Sequence, residues 1–435
     1  MKLCAIICEY NPFHNGHQYQ IEESLKQTGC DGILCVMNTN YSQRGEPTIV
    51  DKKVRALMAI VGGASAVVAI PTYFSVTNAE TFAMAAVKIA SSFKDVTHIS
   101  FGSECGDITS ITELATFLYK EPDFYKKAIK VHLQEGYSLG TSKIKALAEC
   151  ISKKLVSFTN PKLVVELLKH PNNILGVEYV RALLKLKNKK ITPITIKRQE
   201  AYDGYELDID YKLSSASSIR ESIIKSKHIW NIRKYIPQKS FFYFTNYLKD
   251  NEIPDFSLWG KFALYKLRTT STSELALNYD VVEGFENKLV LSARECVNYE
   301  QFLSRATSKR YSTNRVKRIV TACLLNLRSD VTKQIFKEEI PYIKVIACRN
   351  DRNLIASLHN NSSVVVTRKS LALLALKSNF SRILASCENR ANSLYEMLIN
   401  TPEDKQLKRG DVSDIFEKTI FVDKDDFLGN KTIIE

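Results

Sequence analysis

His14-Asn15-Gly16-His17 places two imidazoles just after the apolar run Leu3-Cys4-Ala5-Ile6-Ile7-Cys8 and the loop Glu9-Tyr10-Asn11-Pro12-Phe13. This is where a first strand meets a first helix, a position suited to holding phosphate. Gly16 lets the backbone approach a ligand, and the amides opening the helix present partial positive charge to an anion. Two histidines beside that helix end can donate hydrogen bonds to phosphoryl oxygens as charge builds up on them. A zinc pair is the competing reading, but Glu9 is the only other ligand type nearby, and Asn-Pro-Phe suits a strand-to-helix crossing better. Far downstream, Ser214-Ser215-Ala216-Ser217-Ser218-Ile219-Arg220 joins hydroxyls that cap a helix start to a guanidinium one turn in. Such an arrangement grips phosphate bidentately.

These residues need elements to hold them. Leu3–Cys8, Gly32–Met37, Ala66–Ile70 and Thr97–Phe101 read as strands, and Gln20–Gln27, Asp51–Val61 and Asn78–Ser92 as helices between them. The alternation implies right-handed crossovers and a parallel, doubly wound sheet with ligands at the strands' C-terminal ends. Each motif falls at such an end: His14 and His17 after the first strand, 38–44 after the second, 71–78 after the third, Gly102-Ser103-Glu104 after the fourth. Gly102 thereby lies where an adenine or ribose would sit. A helical insertion over about 108–170 precedes the helix opened by Pro171-Asn172-Asn173 and a strand over Ile191–Ile196. Asn173 suits either a cap or recognition of base or ribose. Arg198, just past a strand end, is placed for phosphate.

Lysines and arginines number 61 against 47 acidic residues, a net charge of +14 that favours a polyanionic partner. The ten cysteines form no CxxC pair, so neither a zinc ribbon nor a disulfide framework is indicated and reduced thiols are expected. The N-terminal apolar run is too short for a signal peptide, and the uncharged stretch from Leu57 to Ala79 is broken by Gly62, Gly63 and Pro71. The expected protein is soluble and cytoplasmic. Beyond Trp230 the chain reads as helical segments with polar joints. Within it, Arg305 to Arg328 holds seven basic residues, no acidic one, and Tyr311. Such a one-sign run suits a phosphate backbone as well as it suits a basic surface helix.

The run from Glu9 to His17 resembles the HxGH signature of the nucleotidylyltransferase superfamily, and Ser217-Ser218-Ile219-Arg220 resembles its (S/T)xIR signature. The segments Gly45–Lys52, Arg55-Ala56, Ile70-Pro71, Asn78–Ala83, Phe101–Glu104, Pro171–Gly176 and Ile196–Arg198 narrow the likeness to the bacterial tRNA(Met) cytidine acetate ligases. That resemblance implies an α/β fold: a Rossmann-like doubly wound sheet over 1–228 followed by a mainly helical, basic, tRNA-binding region over 229–435. It implies that acetate and ATP, with Mg2+, give acetyl-adenylate and pyrophosphate. The acetyl group then passes to the wobble cytidine of elongator tRNA(Met), forming N4-acetylcytidine. His14 and His17 would be catalytic. The ATP site would comprise Ile7, Cys8, Glu9, Tyr10, Asn11, Pro12, Phe13, His14, Asn15, Gly16, His17, Gln18, Tyr19 and Gln20, with Gly102, Asn173, Arg198, Ser217 and Arg220. Lys309, Arg310, Arg315, Lys317 and Arg318 are the candidate tRNA contacts, and no residue is named as a metal ligand. Two other readings stand beside this one: an adenylyltransferase acting on a small phosphorylated metabolite, and a non-catalytic RNA-binding protein on the same scaffold.

Overall fold

The computed structural model describes residues 1–198, 214–226, 229–368, 378–399 and 418–423. Three segments are apolar at nearly every position and can therefore be buried on both faces, as parallel strands between helices must be. They form β1 (Leu3–Cys8), β2 (Gly32–Asn38) and β3 (Ala66–Ile70). With β4 (Val96–Ser103) and β5 (Thr192–Lys197) they make a parallel sheet in the order β5-β4-β1-β2-β3. The chain therefore steps outward from β1 in one direction and then returns to its other side. The crevice above β1 and β4 is the switch point at which such sheets bind ligands.

Strand alternation sorts the side chains between two cores. Leu3, Ala5, Ile7, Leu34 and Val36 face α4 (Ala79–Ser91), α5 (Ile108–Lys120) and α9 (Pro171–Lys185). Cys4, Ile6, Ile33, Cys35 and Met37 face α1 (Asn15–Thr28), α2 (Lys52–Val61), α10 (Ala216–Ser226) and α11 (Gln238–Asp250). A short α3 (Thr72–Ser75) follows β3, and α6 (Asp123–Gln134), α7 (Leu139–Ser152) and α8 (Pro161–Leu167) lie between α5 and α9. All ten cysteines are free thiols. Among the described residues, no helix is long and apolar enough to cross a membrane.

After a 3-10 turn at Ile229–Tyr235, the C-terminal part is largely helical. It contains α12 (Phe256–Thr269), α13 (Thr272–Leu275), α14 (Phe285–Glu295), α15 (Tyr299–Ala306), α16 (Thr313–Leu325), α17 (Ser329–Gln334), α18 (Arg352–Asn360) and α19 (Asn379–Met397). Three strands that the sequence reading did not identify lie among these helices. β6 (Tyr342–Arg349) pairs antiparallel with β3, while β7 (Val365–Thr367) and β8 (Ile420–Val422) pair with β6, extending the sheet to eight strands. Tyr342–Cys348 is buried throughout, as a strand covered on both faces requires, and β3 supplies the open edge it needs. α19 closes over the ends of β2 and β3. The Tyr41 hydroxyl donates to the Ala391 carbonyl at 2.9 Å, the Tyr395 hydroxyl to the Thr48 carbonyl at 2.9 Å, and the Thr72 backbone N–H to the Glu388 carboxylate.

Candidate active site

The loop joining β1 to α1 is held from beneath by Arg55 of α2, which is fully buried. Its guanidinium donates to the carbonyls of Glu9 at 2.6 Å and Val50 at 3.1 Å, to Asn38 Oδ1 at 3.1 Å, and to the Thr39 carbonyl. Asn11 Oδ1 accepts from the Ile49 N–H at 2.9 Å, and the Glu9 carboxylate from the Gln43 N–H at 2.7 Å. Ile7, Tyr10 and Phe13 point into the core, so a ligand meets them only through backbone. Cys8 closes β1, and Gln18, Tyr19 and Gln20 sit half-buried in the first turns of α1.

On this support the two histidines form a reciprocal cap. The Gly16 N–H donates to His14 Nδ1 at 3.1 Å, and the His14 N–H to His17 Nδ1 at 3.2 Å. The rings stack with centroids 3.6 Å apart, and the Tyr10 ring lies 4.7 Å from that of His17. Because each Nδ1 accepts, each neutral ring carries its proton on Nε2. Burial first, and then the Arg198 and Arg220 charges, bring the His14 pKa down to about 3. Burial, His14 and Arg198 likewise hold His17 well below its ordinary value. The pair is therefore neutral at pH 7 and presents Nε2–H donors at the N-terminus of α1 without charge repulsion between the rings. Gly16 leaves space for the cap: a Cβ there would lie 3.0 Å from His14 Cε1 and 3.2 Å from its Nδ1.

The second motif opens α10. Ser215 Oγ accepts from the Ser218 N–H at 3.1 Å, which caps the helix and leaves Ser217 for other partners. Arg220 donates to Ser217 Oγ at 3.0 Å and to the Asn11 carbonyl at 2.8 Å. This joins the two sequence motifs across the crevice. Burial lowers the Arg220 pKa; the acids Glu9 and Glu46 raise it and Arg44 lowers it further. Arg44, from the β2–α2 loop, also donates to Ser217 Oγ, at 3.3 Å.

The third side is the end of β4. The Arg198 side chain lies along Gly102, where a Cβ would be 3.4 Å from Arg198 Cγ, and the Arg198 N–H donates to the Ser103 carbonyl at 2.9 Å. Asn173 is buried, and its Oδ1 accepts from the amides of Glu104 at 2.9 Å and Cys105 at 3.2 Å. Glu104 reciprocates, accepting from the amides of Asn172 at 3.3 Å and Asn173 at 2.9 Å, and so caps α9. Asn173 thus shapes the β4–α5 turn, and its Oδ1 is already engaged there. Among the described residues, no group of three or more His, Cys, Asp or Glu side chains is gathered to hold a metal.

The basic run takes its counter-charges from elsewhere in the chain. Arg315 forms a two-pronged pair with Asp280 at 2.8 Å and lies 4.2 Å from the Tyr311 ring centroid. Lys317 pairs with Glu46 at 2.5 Å, Arg310 with Glu283 at 2.9 Å, and Arg305 with Glu295. Arg318 is mostly enclosed, with its Nε lacking a hydrogen-bond partner. Lys309 and Arg310 remain exposed. An acid-free run in sequence is therefore not a bare cationic surface in space.

Sequence reasoning did not assign Arg44, Arg55 or Glu104 to the site. Arg55 and Glu104 lie within the segments that carried the family resemblance. Arg44 ends the 38–44 stretch placed at the C-terminal end of the second strand, but only the fold brings it to Ser217.

The HIGH Nucleotidyl Transferase family matches residues 1–410. A tRNA(Met) cytidine acetate ligase of Thermoanaerobacter sp. is 38% identical over 342 residues, covering 78% of this chain and 80% of that protein. One from Clostridium botulinum is 32% identical over 409 residues, covering 92% and 95%. The crystal structure of apo Thermotoga maritima TmcAL superposes with a TM-score of 0.89 at 27% identity, covering 98% of this chain and all of that one. The same protein bound with alpha-thio ATP gives a TM-score of 0.86. With the paired histidine cap facing the Ser217–Arg220 motif across a nucleotide-binding crevice, these likenesses establish that the chain belongs to the tRNA(Met) cytidine acetate ligase family of HIGH nucleotidyl transferases.

Proposed function

We propose that this chain is an ATP-dependent ligase that activates acetate as acetyl-adenylate and transfers the acetyl group to the wobble cytidine of elongator tRNA(Met). The observation that carries this reading is the neutral histidine pair, each ring fixed through Nδ1 so that its proton sits on Nε2, on the loop that Arg220 reaches through the Asn11 carbonyl. An acetate oxygen attacks the α-phosphorus of ATP, and the bond to the pyrophosphate oxygen breaks. His14 and His17 donate to the α-phosphoryl oxygens as negative charge grows there, while Ser217 and Arg220 take up the charge leaving with pyrophosphate. The cytidine N4 amine then displaces AMP from the acetyl carbonyl. Magnesium would accompany the triphosphate and offset its charge. The site works in the cytoplasm, where ATP and tRNA are found together. ATP–pyrophosphate exchange across a panel of small carboxylates, followed by acetyl transfer to elongator tRNA(Met), tests the reading. Exchange with no carboxylate, or exchange indifferent to acetate, would refute it.

Gly16→Ala is expected to keep the fold but lower exchange by about 10- to 100-fold. Its Cβ would press on the His14 ring, and small misplacements of catalytic groups are costly. A Gly16→Ala enzyme as fast as the parent would show that the cap geometry is unimportant.

In the basic run we assign the tRNA phosphate contacts first to exposed Lys309 and Arg310, with Arg315, Lys317 and Arg318 shaping the helix behind them. The Arg310–Glu283 pair is solvent-exposed, so exchanging it for phosphate costs little. Lys309→Ala with Arg310→Ala should weaken tRNA binding while acetyl-adenylate formation continues. The log–log salt slope should become shallower by about 0.7 to 0.9 for each phosphate the protein no longer neutralises. Fluorescence titration of tRNA at several salt concentrations reads both quantities. An unchanged slope would move the RNA to another face.

A further inference from the structure

The β2–α2 loop ends in a tight hairpin whose tip is Arg44. Tyr41 bridges Pro47, the Ser42 N–H donates to the Glu46 carbonyl at 2.8 Å, and the Gly45 N–H to the Ser42 carbonyl at 2.9 Å. One side of the hairpin is tied to the catalytic loop through Gln43, whose N–H reaches the Glu9 carboxylate and whose Nε2 reaches the Thr77 carbonyl at 2.8 Å. The other side rests on α16. Gly45 has φ +81°, and a Cβ there would lie 2.5 Å from the Arg318 nitrogen, so both the backbone angle and the close approach demand glycine. Thr321 Oγ1 donates to the Gly45 carbonyl at 2.8 Å, and Lys317 pairs with Glu46.

Held in this way, Arg44 and Arg220 both donate to the single hydroxyl of Ser217. Among the described residues neither guanidinium is within ion-pair distance of a carboxylate. Two like charges sharing one neutral acceptor repel each other, and a polyanion placed between them relieves that repulsion. Inward-facing Arg220 and solvent-exposed Arg44 form the two sides of such a clamp, at the place where pyrophosphate must depart.

We propose that Arg44 is a ligand of the β- and γ-phosphates of ATP, and that α16 positions it through the 41–47 hairpin. The proposal deepens the ATP-dependent reading above and rests on it. It also ties α16, the helix behind the proposed tRNA contacts Lys309 and Arg310, to the triphosphate through one hairpin.

The test is acetate-dependent ATP–pyrophosphate exchange, with folding verified by circular dichroism. Arg44→Ala should raise KM for ATP and for pyrophosphate by about tenfold or more while leaving KM for acetate unchanged. Arg44→Lys should recover part of the loss, since an ammonium keeps the charge but not the fork. Thr321→Val should raise KM for ATP by a smaller factor in the parent and have no further effect in Arg44→Ala. Equal KM for ATP in parent and Arg44→Ala would overturn the ligand role. A Thr321→Val effect that persists without Arg44 would overturn the link through α16. If the parent supports no exchange with acetate, the acetate reading fails by itself. Calorimetric binding of ATP and inorganic pyrophosphate to parent and Arg44→Ala then decides the role of Arg44.

Discussion

His17→Ala should leave the fold intact and cut acetyl-adenylate formation by about 10²- to 10³-fold. The transition state loses a fixed neutral donor, whereas the fold loses half of one helix cap, worth about 1 kcal/mol. Pyrophosphate exchange and a thermal melt, measured on the same preparation, separate the two effects. Full exchange in the variant would remove His17 from the chemistry. The same histidines set a pH dependence of stability. Their folded pKa values are depressed, that of His14 to about 3, while an unfolded histidine titrates near 6.5. As pH falls below about 6.5, the unfolded chain takes up protons that the folded chain refuses. The His14 contribution is whole above that pH and declines toward about pH 3, and that of His17 falls in the same direction. His14→Asn should flatten this part of the stability profile in urea titrations.

The largest expected loss of stability is at Arg55. Replacing it with Met keeps much of the volume but strips hydrogen bonds from the carbonyls of Glu9, Val50 and Thr39 and from Asn38 Oδ1, in a site closed to water. Unpaired buried groups on that scale should cost about 3 to 5 kcal/mol. Arg55→Lys should not recover it, because one ammonium cannot span acceptors on the strand ends and the catalytic loop together. Urea unfolding of both variants reads the effect. A midpoint equal to the parent's in Arg55→Met would mean that the loop holds itself.

The parallel part of the sheet was legible because its strands are short, apolar and separated by clear helices. Leu3–Cys8 and Ala66–Ile70 have the bounds expected. The HxGH and Ser217–Arg220 motifs could be found because helix starts that meet phosphate need particular residues at fixed offsets. β6 was not legible. Its single apolar run fits a strand or a buried helix equally well, and only the open edge of β3 decides between them. The pairing of Arg315 with Asp280 was hidden for a related reason. The partners are far apart in sequence, so charge counted along a window misjudges charge summed in space.

The antiparallel partner of β3 has a consequence for how the molecule is made. Val68 pairs with Val345, so the edge of the nucleotide-binding sheet stays open on the ribosome until most of the chain has emerged. Such late, non-local pairing slows folding and leaves an unpaired strand edge exposed meanwhile. A chain cut after the last phosphate motif would keep every residue assigned to ATP and still lack the strand that closes β3. Nascent and truncated forms should therefore depend on chaperones, and the ATP-binding half should not be separable as a working enzyme.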